Sequence, residues 1–440
     1  MKKSVCIFLM SLLFIISAFG QSTRTVYVGA KIIPIAGDPI ENGYLVIQNG
    51  KIIDVGKNDS SKTWENTKVI NVTGKFIMPG LVDSHSHIGE VSGADSSNPI
   101  QPDVRTLDSI NPRASSIQRA QAGGITTANI MPGSGHLNSG QTLYVKLRDN
   151  ANTINDLLIF DKNKDYMGGI KFANGTNSLR GRGGFPGTRA KSAALVRAKF
   201  IKAQEYKAKI DKAKGNKTKM PPRDLAMETL VEVLDGKRVV HHHTHRHDDI
   251  LTVLRLKKEF GFRLVLQHVS EAWKVADEIA AAKVPSSIIF VDSPGGKLEV
   301  TDIKWENGAA LEKAGALVGF HTDDYITDSR LFLRSGGIAV RAGMSREKAL
   351  YGLTMANAIM LDIQDRVGSL EKGKDADFII LSGDPLSVYT TVEQTFVEGN
   401  KVFDRSNPKD YLTAIGGFGA TNDKLHHIHC FDGDIAGGHE

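Results

Sequence analysis

The sequence predicts an α/β fold: a (β/α)₈ TIM barrel joined to a small composite β-sandwich domain built from both ends of the chain. Three observations carry this. The 440 residues exceed one small domain and suit a barrel of roughly 250–300 residues plus a second unit. Short strands and turns fill residues 25–70 and return between 377 and 402. The long middle alternates strand-like and helix-like segments, the pattern of a parallel sheet with crossover helices.

The first twenty residues stand apart from that fold. Lys2 and Lys3 precede an apolar run from Val5 to Ile16, followed by Ser17-Ala18-Phe19-Gly20. This is the layout of a secretory signal peptide cleaved near Gly20–Gln21. It predicts an exported protein, periplasmic or secreted. No other segment reaches about 18 apolar residues, so no stable membrane span is expected in the mature chain. Cleavage would remove Cys6 and leave Cys430 alone, which excludes an intrachain disulfide.

The small domain begins with strands at Thr25–Val28, Gly43–Ile47 and Lys51–Val55. Asn49-Gly50 between the last two is a strong hairpin signal. Asp377–Leu381 and Val392–Val402, with a turn at Gly399-Asn400, supply the returning strands. Between the two blocks, barrel strands are expected to end near His85–His87, Met131, Phe160, Phe172, His243, His268, Val291 and Asp323. Helices are expected over 189–214, 224–234, 270–283 and 345–353. The expected boundaries are residues 1–20 for the signal peptide, 21–77 plus 364–405 for the small β domain, and 78–363 for the barrel. Residues 178–224 form a basic helical insert, and 406–440 a Gly/His-rich tail.

The net charge of +6 is uneven. Residues 178–224 hold 14 Lys/Arg against 3 Asp/Glu, a local excess of +11, so the rest sums to −5. A solvated helical insert accounts for this, and a surface attracting acidic substrates or anionic lipid is the alternative. No nucleic-acid-binding motif accompanies the charge, so nucleic acid is not an expected partner.

The ionisable residues fall at strand ends. Leu81-Val82-Asp83-Ser84-His85-Ser86-His87 is an apolar strand closing on His-x-His. Residues i and i+2 of a strand share a face. Two imidazoles converging there would repel if protonated, so they read as neutral ligands of one metal; a pair of satisfied loop histidines is the plainer reading. Four further strand-like segments end or carry such groups: Lys171 in 168–172, His243 in 238–243, His268 in 263–268 and Asp323 in 316–323. In a barrel of this type the strand C-termini converge on one site.

Met78-Pro79-Gly80-Leu81-Val82-Asp83-Ser84-His85-Ser86-His87 resembles the metal-binding signature of the amidohydrolase superfamily. The similarity continues through His243-Thr244-His245-Arg246, Gln267-His268-Val269-Ser270-Glu271 and His321-Thr322-Asp323-Asp324. It closes on Gly368–Asp377, and it covers about residues 25 to 405. It is closest to the imidazolonepropionase-like branch.

The resemblance implies roles. His85 and His87 match ligands of the more buried metal, and His243 and His268 those of a second, more exposed one. Lys171 stands where binuclear members carry a carboxylated lysine, since a buried amine with depressed pKa can take up CO₂. A Lys paired with a carboxylate, or a mononuclear site in which it positions substrate, remains open. Asp323 matches the carboxylate that touches metal and acts as general base. Zn is the default ion, one or two per chain.

Four residues are candidate substrate contacts: His245 beyond the fifth strand, His321 on the face of Asp323, Glu271 after His268, and His136 in the Gly-rich loop 133–141. For His321 a packed core histidine is the alternative, and for Glu271 a charge stabilising a helix N-terminus. Five histidines between 241 and 247 blur the fifth-strand assignment. His426, His427, His429 and His439 form either a loose metal site or a surface tail.

The function implied is hydrolysis of a C–N amide bond, in a cyclic amide or small dipeptide-like molecule, by metal-activated water. A deaminase or lactonase on the same centre is the first alternative, and a non-catalytic exported metal- or ligand-binding protein the second. The expected partner is a small-molecule substrate, with a homo-oligomer possible.

Overall fold

A computed structural model describes residues 24–416, apart from 60, 90, 92, 93, 181–183, 291–296 and 325. The segment read as a signal peptide, both cysteines, Val291 and the tail histidines therefore lie outside the described residues. No described helix is long and apolar enough to cross a membrane.

The chain opens with β1 (Arg24–Ile32), β2 (Ile40–Gln48), β3 (Lys51–Lys57), β4 (Thr67–Asn71) and β5 (Phe76–Pro79). The β2–β3 turn has Asn49 and Gly50 both at positive φ, 51° and 74°. That twist suits a two-residue hairpin.

The middle of the chain then runs β6 (Leu81–Ser86), α1 (Ser115–Ala122), β7 (Ile125–Ile130), β8 (Asn138–Gln141), β9 (Leu143–Lys146), β10 (Ile170–Ala173), α2 (Arg189–Ala213) and α3 (Leu225–Leu234). It continues through β11 (Val240–Thr244), α4 (His247–Phe260), β12 (Leu264–His268), α5 (Ala276–Ala281), β13 (Ser286–Ile288), α6 (Asn307–Lys313), β14 (Val318–Phe320), α7 (Phe332–Arg341), α8 (Arg346–Gly352) and α9 (Met355–Met360). Strands β10 to β14 pair in parallel, as do β6 and β7. The result is a TIM-barrel-like domain. Its buried strands are apolar runs covered by helices, with Leu81, Ile125, Ile170, Val240, Leu266 and Phe320 in one core. At the far end Asp323 N donates to His85 O at 2.9 Å, which joins the last strand's exit to the first strand.

Four expectations change here. No strand ends at Phe160, which is exposed and makes only an isolated bridge to Tyr166. The place between β7 and β10 is taken by β8 and β9, antiparallel to β10 and β7 respectively. Gly168 permits that approach, because a Cβ there would lie 2.1 Å from Thr142 O. The loop expected over 133–141 is consequently half strand. The eighth strand stops at Phe320 rather than Asp323. The helix expected over 270–283 is a short 3₁₀ turn followed by α5, broken at Val275.

The basic insert contains α2, and α3 follows directly after it. Thr188 caps α2 by accepting from Lys191 N, and Asp224 caps α3 by accepting from Met227 N. Val196, Phe200 and Ala203 recur at helical spacing and form the buried stripe of α2. Phe200 stacks on Phe172, Phe260 and Phe262.

The chain returns in β15 (Phe378–Leu381), β16 (Val392–Val397) and β17 (Asn400–Asp404) to complete an eight-stranded sheet with β1–β5. β15 joins β5 antiparallel, so both ends of the chain share one sheet. Tyr27, Phe378 and Phe396 form its aromatic core. The β16–β17 turn centres on Glu398-Gly399, one residue earlier than expected, because Asp377 accepts from Glu398 N at 2.8 Å. Beyond it, the segment assigned to the Gly/His-rich tail begins with α10 (Pro408–Ile415), capped by Asn407.

Candidate metal centre

Strand β6 carries His85, and His87 follows its last residue, so that both rings meet Asp323. Asp323 approaches them from beyond β14, in a left-handed conformation with φ 49°. Its Oδ1 lies 3.2 Å from His85 Nε2 and 2.9 Å from His87 Nε2. The three offer ligand atoms within 4.8 Å of one another. His87 is oriented by Met131 O, 2.7 Å from its Nδ1. Lys171, buried in β10, places Nζ 2.9 Å from His85 Nε2 and 3.1 Å from Met131 Sδ.

His268 comes from the end of β12, also left-handed at φ 70°, with Val269 following at 41°. Such backbone costs of order 1–3 kcal/mol per residue and concentrates at functional sites. Val269 N is tied to Thr244 O at 2.9 Å, which holds the turn. His268 Nδ1 sits 4.0 Å from Asp323 Oδ2 and 3.0 Å from His321 Nε2. Behind it runs a chain of buried hydrogen bonds, His321 Nδ1 to Ser287 Oγ at 2.8 Å and Ser287 Oγ to Ser84 Oγ at 2.7 Å. His321 thus backs His268, and it also offers a ligand atom beside His85 and His268.

His243 and His245 form the other flank. Their rings lie 4.6 Å apart, and His243 lies 4.3 Å from the ring of His268. His245 Nδ1 bonds Ser270 Oγ at 2.8 Å, leaving Nε2 unpartnered. Glu299 reaches the same place, and its Oε1 is buried without a hydrogen-bond partner. His241 is a satisfied core histidine between Tyr144 and Gln267. His242 faces the opposite side and stacks on Phe172, which leaves His243 as the inward residue of the strand.

Two candidate substrate contacts are engaged elsewhere. Glu271 Oε2 accepts from His247 N at 3.0 Å and lies 2.6 Å from His247 Nδ1, so it secures the first turn of α4. His136 is held by Arg180, 2.7 Å from its Nδ1.

Burial sets the charge states. It pushes His85, His243, His245 and His268 well below the ordinary histidine range. The positive charge of Lys297 adds to this at His243 and His245, and that of Lys171 at His85. These rings are therefore neutral, the form that offers a lone pair. Burial alone would raise Asp323, but the facing His85 and His268 outweigh it and hold the carboxyl well below its usual range.

The donor set fits a divalent ion: neutral imidazoles, one carboxylate, and buried nitrogens without partners at His85 Nδ1, His243 Nδ1 and Nε2, and His268 Nε2. His85, His87 and Asp323 would hold it most directly. A buried polar atom left unpaired costs about 1–3 kcal/mol, so such a set is unfavourable unless something binds it.

Residues absent from the sequence reading support this set. Asp83 accepts from His85 N at 3.2 Å and Thr322 N at 3.1 Å, tying β6 to the segment carrying Asp323. Burial raises it to about 7. A carboxylate two residues before His85 in an apolar strand was its available signal. Asn357 of α9 donates to Val82 O at 2.5 Å and Phe320 O at 2.6 Å. No local pattern marks it.

Comparison with known proteins adds three findings. The family model described as Amidohydrolase family matches residues 222–403. A crystal structure described as an amidohydrolase from Thermotoga maritima MSB8 is 34% identical, with a TM-score of 0.80 over 87% of this chain and 100% of that one. Among curated proteins, amidohydrolase tasK of Hapsidospora irregularis is 25% identical over 394 residues, 82% of this chain and 40% of that protein. A 5-methylthioadenosine/S-adenosylhomocysteine deaminase of Bacillus thuringiensis (strain Al Hakam) is 40% identical over 67 residues, 15% of each chain. The matches thus span less than half the length of either curated relative.

Proposed function

Because this chain belongs to the amidohydrolase superfamily, we propose that it is a metal-dependent hydrolase of a C–N bond in a cyclic amide or small dipeptide-like substrate. The observation that carries the reading is the buried meeting of His85, His87 and Asp323 at 2.9–3.2 Å. An ion bound there supplies an activated water and polarises the substrate carbonyl. Asp323 is the general base: an ionised carboxylate on the cluster can take the proton of the attacking water and return it to the leaving nitrogen. His87, fixed by Met131 O, and His85, fixed between Lys171 and Asp323, hold that carboxylate in place.

Zn is the ion we assign first, as the fit of a His-rich set. The amine of Lys171 lies inside the cluster, 2.9 Å from His85 Nε2, and as a carbamate it would add a further ligand there. The basic start and apolar run of the first twenty residues support export. The test is elemental analysis of the mature protein, expressed with bicarbonate, beside Lys171→Ala and an amide panel. About two ions per chain falling to one or fewer in the variant, with turnover of an amide, is the expected result. One ion in both proteins would remove the carbamate. Failure to cleave any amide would remove the substrate class.

A deaminase is the second reading, favoured by the 67-residue match at 40% identity. Release of ammonia in the same panel separates the two.

A further inference from the structure

The basic insert is a strongly charged feature that the metal centre does not use. Helix α2 is 25 residues long. Arg189 at its start reaches Glu299 beside the histidines, with Nη2 3.4 Å from Oε2. At 1.5 Å per residue its other end lies about 36 Å further along. That far end and the turn after it carry Lys209, Lys212, Lys214, Lys217 and Lys219, all exposed. Among the described residues none of the five is paired with a carboxylate. Asp211, the one acid between them in sequence, lies instead 3.6 Å from Lys207. Favourable interaction with the last carbonyls of a helix accounts for Lys212. It does not account for Lys217 and Lys219, which stand past the helix in a 3₁₀ turn. The charge is also local, because residues outside 178–224 sum to −5. The tip is held in shape. Tyr206 Oη donates to Pro222 O at 3.0 Å, Asn216 Oδ1 accepts from Thr218 N at 3.0 Å, and Lys207 meets Asp235 at 2.8 Å. Met220, at the end of the 3₁₀ turn, is 42% exposed.

We propose that this lysine-rich tip docks the protein on an anionic phospholipid surface, as a peripheral contact and not a span. Charge complementarity carries the assignment: unpaired ammonium groups clustered on one end meet a surface of phosphate headgroups. The shape selects the partner. The lysines project from a helix end and a turn, whereas the cavity that α2 lines takes in Arg189 to Arg197, at its opposite end. Mobile headgroups rearrange to meet charges scattered over such an end. Nucleic acid would call for aromatic stacking or a groove-reading element, and Tyr206, the aromatic residue of 201–224, is engaged with Pro222. Met220 supplies an apolar side chain among the lysines that enters the headgroup layer. Because the tip lies a helix length from Arg189 and Glu299, docking leaves the metal centre open to soluble substrate. The inference is independent of the hydrolase reading.

The experiment is flotation of the mature protein with vesicles of phosphatidylcholine alone or mixed with phosphatidylglycerol. The mature protein lacks the apolar run from Val5 to Ile16, which would itself enter lipid. The salt is about 0.15 M, where the Debye length is about 8 Å. One variant combines Lys209→Gln, Lys212→Gln, Lys214→Gln, Lys217→Gln and Lys219→Gln. A second combines Lys57→Gln, Lys68→Gln, Lys162→Gln, Lys237→Gln and Lys372→Gln, all exposed and outside the insert, and so has the same net charge. Circular dichroism checks that both variants fold. The wild type and the second variant are expected to float with the anionic vesicles and not with phosphatidylcholine alone. Each lysine near such a surface strengthens binding about fivefold, so the first variant is expected to bind at least about 10²-fold more weakly. Met220→Ser is expected to weaken vesicle binding about threefold. Equal flotation of the wild type and the first variant, an equal loss in both variants, or no flotation of the wild type would overturn the proposal. Binding of soluble heparin through the five lysines without vesicle binding would overturn it in favour of an acidic polysaccharide.

Discussion

Asp323 concentrates the chemistry of the site in one side chain. Its left-handed backbone sets it between two imidazoles, and its carboxyl, held well below the usual range, stays ionised, as the proposed general base requires. Asp323→Asn is expected to lower kcat by about 10²–10⁴-fold. Steady-state kinetics with metal content measured in parallel checks this, because loss of the ion would enlarge the effect. His136 offers a test of charge without catalysis. Burial, reinforced by the Arg180 charge, lowers it from 6.5 to about 4. The unfolded chain therefore binds a proton here at a higher pH than the folded chain does. The stability contribution is present above about pH 6.5 and is lost as pH falls toward 4. Urea midpoints across that window should fall less steeply in His136→Gln than in the wild type.

Between elements, Asn357 does work that no hydrophobic pattern announces. One amide from α9 bonds the backbone of β6 and the end of β14. Asn357→Ala would remove the donor shared by two buried carbonyls, at a cost of about 1–3 kcal/mol. Thermal unfolding should show a lowered Tm, and metal affinity should fall with it, because β6 carries His85 and His87 while the β14 exit carries Asp323. Direct hydrogen bonding between Asp323 N and His85 O makes the same link. Precision at the centre is thus a property of the joint between two strands far apart in sequence.

At the scale of the whole molecule, Lys146 couples the barrel-like domain to the sheet. Its buried ammonium lies 2.6 Å from Asp377 and 3.0 Å from Asp375. Asp375 also meets Lys51 at 2.6 Å and Arg366 at 3.1 Å. Removing one partner of such a group leaves buried charge uncompensated, so Asp375→Asn should destabilise by about 3 kcal/mol, measured by urea unfolding. Burial alone would raise the Asp375 carboxyl, but Lys146 and the other cations bring it down to about 2. That contribution is fully present above about pH 3.8 and disappears as pH falls toward 2. Asp377, raised by burial, works in the opposite direction, so the difference between wild type and Asp375→Asn is the quantity to compare.

What the sequence determined by itself was periodic or local. Alternation of apolar strands and helices marked a TIM-barrel-like α/β domain, since a core must be buried at the period of its backbone. Asn49-Gly50 specified its own turn. The i, i+2 spacing of His85 and His87 specified a shared face. The sharing of one sheet by β5 and β15 was also foreshadowed, because both ends carry the same short-strand texture. What only the tertiary structure decided was long-range. The reversal of the third strand depends on how closely Gly168 lets β8–β9 approach, and no local preference encodes direction. Glu299 and Asn357 meet their partners only after the chain has closed, and Glu271 finds His247 rather than the cluster for the same reason. A hydrogen bond is directional and spans about 3 Å. Residues tens or hundreds apart can therefore complete a site that no stretch of sequence contains.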